Sequence, residues 1–175
     1  MKKKSKIIII IGTVLLLAIV FVVLGLHFSK NYVKIDDNKK IIQMAKEYIL
    51  DINENVEIVE TSDVVKNEKL GLIAVIVKFE KEDEECAECV YLSRSKHFDN
   101  MYEIQGALSV ESGKVIADSQ KINGKYVAFV RGVDIPNDIS NYSVEELDCT
   151  GTVENGWCIE MIETDSLDHY DVTIE

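Results

Sequence analysis

The first stretch of the chain is continuously apolar. From Ile7 to Leu26 it runs for twenty residues, interrupted only by two glycines and one threonine. A helix of this length is about 30 Å long, which matches the hydrocarbon core of a bilayer. Four lysines precede the run. The pattern predicts a basic tail over residues 1–6, a transmembrane anchor over residues 7–28 and a short linker over residues 29–36.

The flanking charges predict the orientation of the anchor. The basic tail favours a cytoplasmic N-terminus, which places residues 37–175 on the outer side of the cell membrane. The alternative is a cleaved signal peptide, but the apolar region of such a peptide usually has about 7–15 residues. The length of the run therefore favours a retained, single-pass signal-anchor.

The pattern beyond the anchor starts with helical spacing. Apolar residues recur every three or four positions over residues 38–50, and Asp36 and Asp37 offer N-cap oxygens. We expect an amphipathic helix whose apolar face covers a sheet. The alternative, a helix lying on the membrane surface, is disfavoured because the segment has few basic residues and no Trp or Phe.

From Val56 onward the spacing changes to alternation and to short apolar runs, which predicts β-strands. Asn123-Gly124 indicates a type I′ hairpin, and Asn155-Gly156 indicates a second hairpin. The expected strands begin at Val56 and then cover residues 70–79, 90–94, 102–110, 115–122, 126–130, 142–149, 157–162 and 170–174. The predicted fold class is α+β, predominantly β: one amphipathic helix packed on an antiparallel sheet or sandwich of about eight short strands.

Two segments carry a resemblance. The segment from Met101 to Ile104 (MYEI) and the segment from Ile122 to Gly132 (INGKYVAFVRG) resemble small uncharacterised membrane-anchored extracytoplasmic proteins of Gram-positive bacteria. Those proteins share the order of basic N-terminus, single anchor, short helix and strands. The resemblance covers about a third of the outer domain, and it implies a layout and a location without any catalytic residue.

Charge excludes one class of partner. The chain carries a net charge of −12, and because residues 1–30 contribute +5, residues 31–175 carry −17. A domain this acidic is repelled by phosphate backbones, so nucleic acid is not expected as a partner. The expected partners are the lipid bilayer, through the helix, and an envelope protein.

Four cysteines lie in the outer domain: Cys86, Cys89, Cys149 and Cys158. An even number outside the cytoplasm favours structural disulfides, and the most local pairing joins Cys86 to Cys89 and Cys149 to Cys158. A first alternative is a thiol-disulfide oxidoreductase using Cys86-x-x-Cys89, although the surrounding acids oppose thiolate formation. A second alternative is a four-thiolate zinc site, for which the spacing of Cys149 and Cys158 is too long.

No other motif predicts catalysis or a cofactor. The acidic segment from Glu80 to Glu88 is expected to form a loop before the next strand. This loop suggests a cation-binding sensor as a further alternative, without the spacing of an EF-hand. Trp157 beside Cys158 is expected to pack against a disulfide, with a ligand platform as its alternative. We therefore expect a membrane-tethered extracytoplasmic interaction or structural domain rather than an enzyme, with no catalytic, cofactor-binding or metal residues.

Overall fold

The computed structural model describes the backbone of residues 2–175 and leaves out the side chains of residues 2–12, 26 and 29. The chain divides into two compact units, Met1–Tyr32 and Val33–Glu175. Its helices are α1 (Lys2–Asn31), α2 (Asn38–Ile52) and a 3-10 turn (Glu145–Leu147). Its strands are β1 (Val33–Lys34), β2 (Val56–Thr61), β3 (Val65–Asn67), β4 (Leu72–Lys81), β5 (Glu84–Arg94), β6 (Met101–Val110), β7 (Lys114–Ile122), β8 (Lys125–Val133), β9 (Asn141–Val144), β10 (Cys149–Thr152), β11 (Cys158–Thr164), β12 (His169–Tyr170) and β13 (Thr173–Ile174).

The first unit is the helix α1. The expected membrane-spanning stretch from Ile7 to Leu26 includes side chains that lie outside the described residues. Within the described part of the chain, no helix is both long enough and apolar enough to cross a membrane. The segment expected as a short linker, residues 29–36, contains the end of α1 at Asn31 and the strand β1, which pairs with β6.

The amphipathic helix is confirmed as α2. The carboxylate of Asp37 accepts a hydrogen bond from the Lys40 amide at 3.1 Å and so caps the helix, as its position predicts. The buried face of α2 packs on a sheet and consists of Ile41, Met44, Ala45 and Ile49.

The strands form three sheets in which every strand pair is antiparallel, so the predominantly β fold class is confirmed. Sheet 1 has the order β1-β6-β5-β4-β2, with β3 also paired to β4. Sheet 2 has the order β11-β8-β7-β12, and sheet 3 has the order β10-β9-β13. The described strands outnumber the expected ones because several are only two to four residues long.

The core has three layers. The first lies between α2 and sheet 1 and includes Ile49 and Val75. The second lies between the other face of sheet 1 and sheet 2 and includes Ile76 and Phe129. The third lies between sheet 2 and sheet 3 and includes Val130. Sheets 1 and 2 are therefore each covered on both faces.

The prediction that the acidic residues between 80 and 89 form a loop is wrong. β4 and β5 pair continuously as far as Lys81 and Glu84, and a two-residue turn joins them. Glu82 and Asp83 both have positive φ angles, as a type I′ turn requires. Pairing with the apolar β4 outweighs the low strand propensity of the glutamates, so most of the acidic segment belongs to a hairpin.

The expected strand over residues 102–110 is confirmed as β6, but it does not keep one face. Gly106 pairs with Tyr91 and Ile104 pairs with Leu92, so Gln105 forms a bulge. Before the bulge, Tyr102 packs in the first core layer. After the bulge, Val110 packs in the second layer, because one extra residue exchanges the two faces of the strand.

One of the two hairpins predicted in the C-terminal third does not form. Asn123-Gly124 does join β7 to β8 with two positive φ angles, as expected. The Asn155-Gly156 turn, however, closes only a single bridge between Glu154 and Trp157. The flanking strands pair elsewhere, β10 with β9 in sheet 3 and β11 with β8 in sheet 2.

The last expected strand, over residues 170–174, is likewise divided between two sheets. β12 pairs with β7 in sheet 2, whereas β13 pairs with β9 in sheet 3. The chain therefore closes by bridging the two sheets that enclose the third core layer.

An ion pair between a buried arginine and a partly exposed aspartate lies between sheets 1 and 2. Arg131, whose side chain is 3% exposed, donates from Nη1 and Nη2 to the carboxylate of Asp118 at 3.0 and 2.8 Å. Its Nε donates to the carbonyl oxygen of Ser109 at 3.0 Å, which links β8 of sheet 2 to β6 of sheet 1. The guanidinium charge is thus neutralised inside the core.

Arg131→Met should destabilise the protein by about 2 kcal/mol, because it removes the cation of the partly buried Asp118 carboxylate and the donor to the Ser109 carbonyl oxygen. Urea unfolding of the full chain, followed by Trp157 fluorescence, measures the change. The control is Lys125→Met, which breaks the exposed Lys125–Glu163 pair and should cost less than about 1 kcal/mol. Equal losses of stability in the two variants would show that the Arg131–Asp118 pair has no special role.

Candidate functional site

A cleft of about 550 Å³ lies in the second unit where all three sheets end. Sheet 1 contributes residues 60–63 and Val65, from its terminal segment of β2 and β3. Sheet 2 contributes Trp157 and the start of its terminal strand β11. Sheet 3 contributes Tyr142 and residues 150–152 of its terminal strand β10. We call this surface the edge cleft.

The edge cleft is strongly negative. Four of its fifteen lining residues are acids, and none is Lys, Arg or His. The acids are Glu60, Asp63, Glu154 and Glu160. In the described part of the chain none of these carboxylates forms a salt bridge. Charges of one sign in a concave surface concentrate the field and attract cations.

Glu160 is the centre of a hydrogen-bonded cluster at the base of the cleft. Its Oε2 accepts from the Tyr142 hydroxyl at 2.8 Å and from Cys149 Sγ at 3.2 Å. Burial, followed by the hydrogen bond to Glu160, raises the pKa of Tyr142. The phenol therefore stays protonated and holds the carboxylate in place.

Gly151 makes room for this cluster. It pairs with Tyr142 across sheet 3, and a Cβ atom at position 151 would lie 2.2 Å from Cζ of the Tyr142 ring. Only glycine lets the ring lie over the neighbouring strand and reach Glu160.

The two cysteines of the third core layer are poor nucleophiles. Burial, with the hydrogen bond to Glu160 as the second cause, raises the pKa of Cys149 to about 12. Burial, followed by the charge of Glu160, raises the pKa of Cys158 to about 12. The thiolate is the reactive form of cysteine, so neither group is activated at neutral pH.

Cys86 and Cys89 lie on opposite faces of β5. Cys86 packs in the first core layer and Cys89 in the second. Residues three apart in a strand have Cα atoms about 10 Å apart, beyond the roughly 7 Å limit for a disulfide. Burial, as the largest cause, also raises the pKa of Cys89 to about 12. The strand thus rules out a local Cys86–Cys89 bond and the redox motif built on it.

The four cysteines lie in three different layers, so they are not brought together as a four-thiolate zinc site. Cys149 and Cys158 share the third layer, and their pairing stays a prediction. Within the described residues, no group of three His, Cys, Asp or Glu is arranged to hold a metal ion. In the acidic hairpin, Glu85 pairs instead with Lys78 at 2.8 Å.

Trp157 is half-buried, lines the edge cleft and packs against the second core layer. Sequence reasoning singled out Trp157 and Cys158 but missed the four acids. Their positions in the chain give no signal, because Glu60 and Glu160 become neighbours of one cleft only when sheets 1 and 2 stack. A continuous apolar run at residues 126–130, which also indicates a strand covered on both faces, was the available clue to that stacking.

The stability of the reduced protein should fall as the pH rises from about 9 to about 12. The folded state holds the Cys149 and Cys158 protons up to a pKa of about 12, whereas the unfolded chain releases them near the ordinary value of 9.0. The folded state therefore binds more protons in this range, and its advantage shrinks. Urea midpoints at pH 8, 10 and 11 should fall less steeply in Cys149→Ala/Cys158→Ala. If the urea midpoints of the unaltered protein and of the double variant fell equally with pH, the raised pKa values of Cys149 and Cys158 would be contradicted.

Comparison with protein-family models, curated proteins and solved structures finds no match to this chain. Its function must therefore be inferred from its own residues, and the edge cleft is the surface in the described part of the chain that offers the most specific chemistry.

Proposed function

We propose that this chain is a single-pass membrane protein whose outer domain binds an envelope partner and catalyses no reaction. Residues 7–28 form the anchor, and the domain that follows lies on the extracytoplasmic side. The single observation that carries the binding role is the edge cleft, with four carboxylates that no basic lining residue neutralises.

The anchor is supported by the surface of α1. Between Val14 and Leu24 this helix exposes ten large apolar side chains, each at least 45% exposed. They occupy nearly consecutive positions and so surround the helix rather than forming one stripe. An exposed apolar surface of this extent is costly in water and is suited to lipid.

Charge supports the orientation. The lysines before the apolar run favour a cytoplasmic N-terminus, and the domain with its charge of −17 follows the run. An acidic surface is repelled by anionic lipid headgroups, which favours a domain that binds a partner other than the lipid itself.

Binding is favoured over catalysis by the state of the candidate nucleophiles. The raised pKa values of Cys149, Cys158 and Tyr142 keep these groups protonated at neutral pH. Their hydrogen bonds and burial serve to hold Glu160 at a fixed position, as a recognition surface requires.

Membrane fractionation of intact cells tests this proposal. The full chain should resist extraction by alkaline carbonate, and external protease should digest its domain while leaving the tail protected. Leu17→Arg/Val20→Arg should reduce membrane association, because each arginine costs about 2.5–3.5 kcal/mol near the centre of a spanning helix.

The matched control is Val59→Arg, which adds an arginine at an exposed apolar position of β2 and should leave membrane association unchanged. Release of the unaltered protein by carbonate, or a domain that external protease cannot reach, would refute the anchor or its orientation.

A further inference from the structure

The outer edge of β11 has backbone groups that point towards the edge cleft. Nδ2 of Asn67 donates to the carbonyl oxygen of Met161 at 2.9 Å, so this carbonyl points away from β8. In an antiparallel strand the N–H and C=O of one residue point to the same side, and alternate residues point alike. The N–H and C=O of Ile159 therefore also point outward, where Ile159 lines the cleft.

This edge is open over a short length. Asn67 occupies the edge at Met161 and Glu154 occupies it at Trp157, whereas no described residue hydrogen-bonds the outward backbone groups of Ile159 between them. An added strand could exchange both an N–H and a C=O bond with Ile159, as strand addition to a sheet edge requires. The cleft volume of about 550 Å³ is in the range of ligand pockets and suits a few extended residues.

The two faces of the open edge differ chemically. Glu160 lies on the side of sheet 3, and its Oε1 accepts no hydrogen bond from the described residues. Ile159 lies on the side of sheet 1 and packs with Val65 against the second core layer. A residue of an added strand next to Glu160 would therefore be basic, and a residue next to Ile159 would be apolar.

The remaining lining strengthens the preference for a cation. Glu60 and Glu154 are exposed at the cleft and have no ion-pair partner among the described residues. The indole of Trp157 offers an apolar wall for the stem of Lys or Arg and a π-face for its charge.

We propose that the edge cleft binds an extended peptide segment of a partner protein, which adds as a strand to the outer edge of β11 and alternates basic with apolar residues. The inference rests on the proposed binding function and names the class of its partner. The basic side chain pairs with Glu160 and with the rim acids Glu60 and Glu154, while the apolar side chains continue the layer of Ile159 and Val65.

Trp157 is the only tryptophan in the sequence, so its emission reports directly on the cleft. The probe is acetyl-Val-Lys-Val-Lys-Val-amide, titrated into the full-length chain in detergent micelles. The emission of Trp157 should change and saturate, whereas the same peptide with Glu in place of Lys should produce no change.

Glu60→Gln/Glu154→Gln should weaken binding by about fivefold or more, because two rim charges are lost at exposed positions. The matched control, Glu57→Gln/Glu145→Gln, removes the same charge from exposed positions outside the cleft and should change affinity less than twofold. Equal loss of peptide affinity in both double variants would mean that the peptide responds only to the net charge of the domain. That result would overturn the proposal.

Backbone N-methylation tests the strand addition itself. Two methylated versions of the probe are compared, one at the odd-numbered amides and one at the even-numbered amides. Only every second amide of an added strand faces β11, so one version should lose binding and the other should retain it. Binding indifferent to methylation in both phases, spermine binding as tightly as the peptide, or no response to any probe would each overturn the proposal. These titrations use no membrane, so their failure is distinguishable from a failure of the fractionation experiment.

Discussion

Sheet 2 is covered on both faces, and this constraint determines the composition of its central strand. Residues 127–133 of β8 are all buried. Phe129 points into the second core layer, whereas Ala128 and Val130 point into the third. A strand covered on both faces needs apolar residues at consecutive positions, and β8 supplies them with one exception. The exception is Arg131, whose charge is compensated by Asp118 and which ties sheet 2 to sheet 1.

The edge cleft is a consequence of the same stacking. Three sheets that lie one on another end at the same side of the domain, and their terminal strands bring polar backbone and acidic side chains together. Glu160 is held there by Tyr142 and Cys149, and Gly151 provides the space for the Tyr142 ring. The layers thus place a negatively charged groove where the backbone groups of Ile159 in β11 face outward.

Short sequence patterns predicted the elements that depend only on neighbouring residues. Asp37 capped α2 as expected, and Asn123-Gly124 turned β7 into β8, because capping and type I′ turns depend on a few neighbouring residues. The strand expected over residues 70–79 became β4, an inner strand of sheet 1 that α2 covers. The four cysteines were expected as local pairs, but the layer in which each lies depends on the phase of its strand.

Features that depend on contacts between distant parts of the chain could not be predicted from local patterns. The bulge at Gln105 exchanges the faces of β6 without a glycine or proline at its own position to mark it. Asn155-Gly156 has the composition of a hairpin turn, yet β10 and β11 diverge to different sheets, because Cys149 and Cys158 each face the layer between them. The acids of the edge cleft carried no signal for the same reason, since stacking alone assembles them.

The layered core is tested most directly by amide hydrogen exchange in the full-length protein. If sheet 2 is enclosed on both faces, the amides of Val127 to Val133 should be among the slowest to exchange, and far slower than those of the terminal strands β2 and β10. Exchange of the β8 amides as fast as that of β2 would contradict the enclosure of sheet 2, and the edge cleft would lose its structural basis.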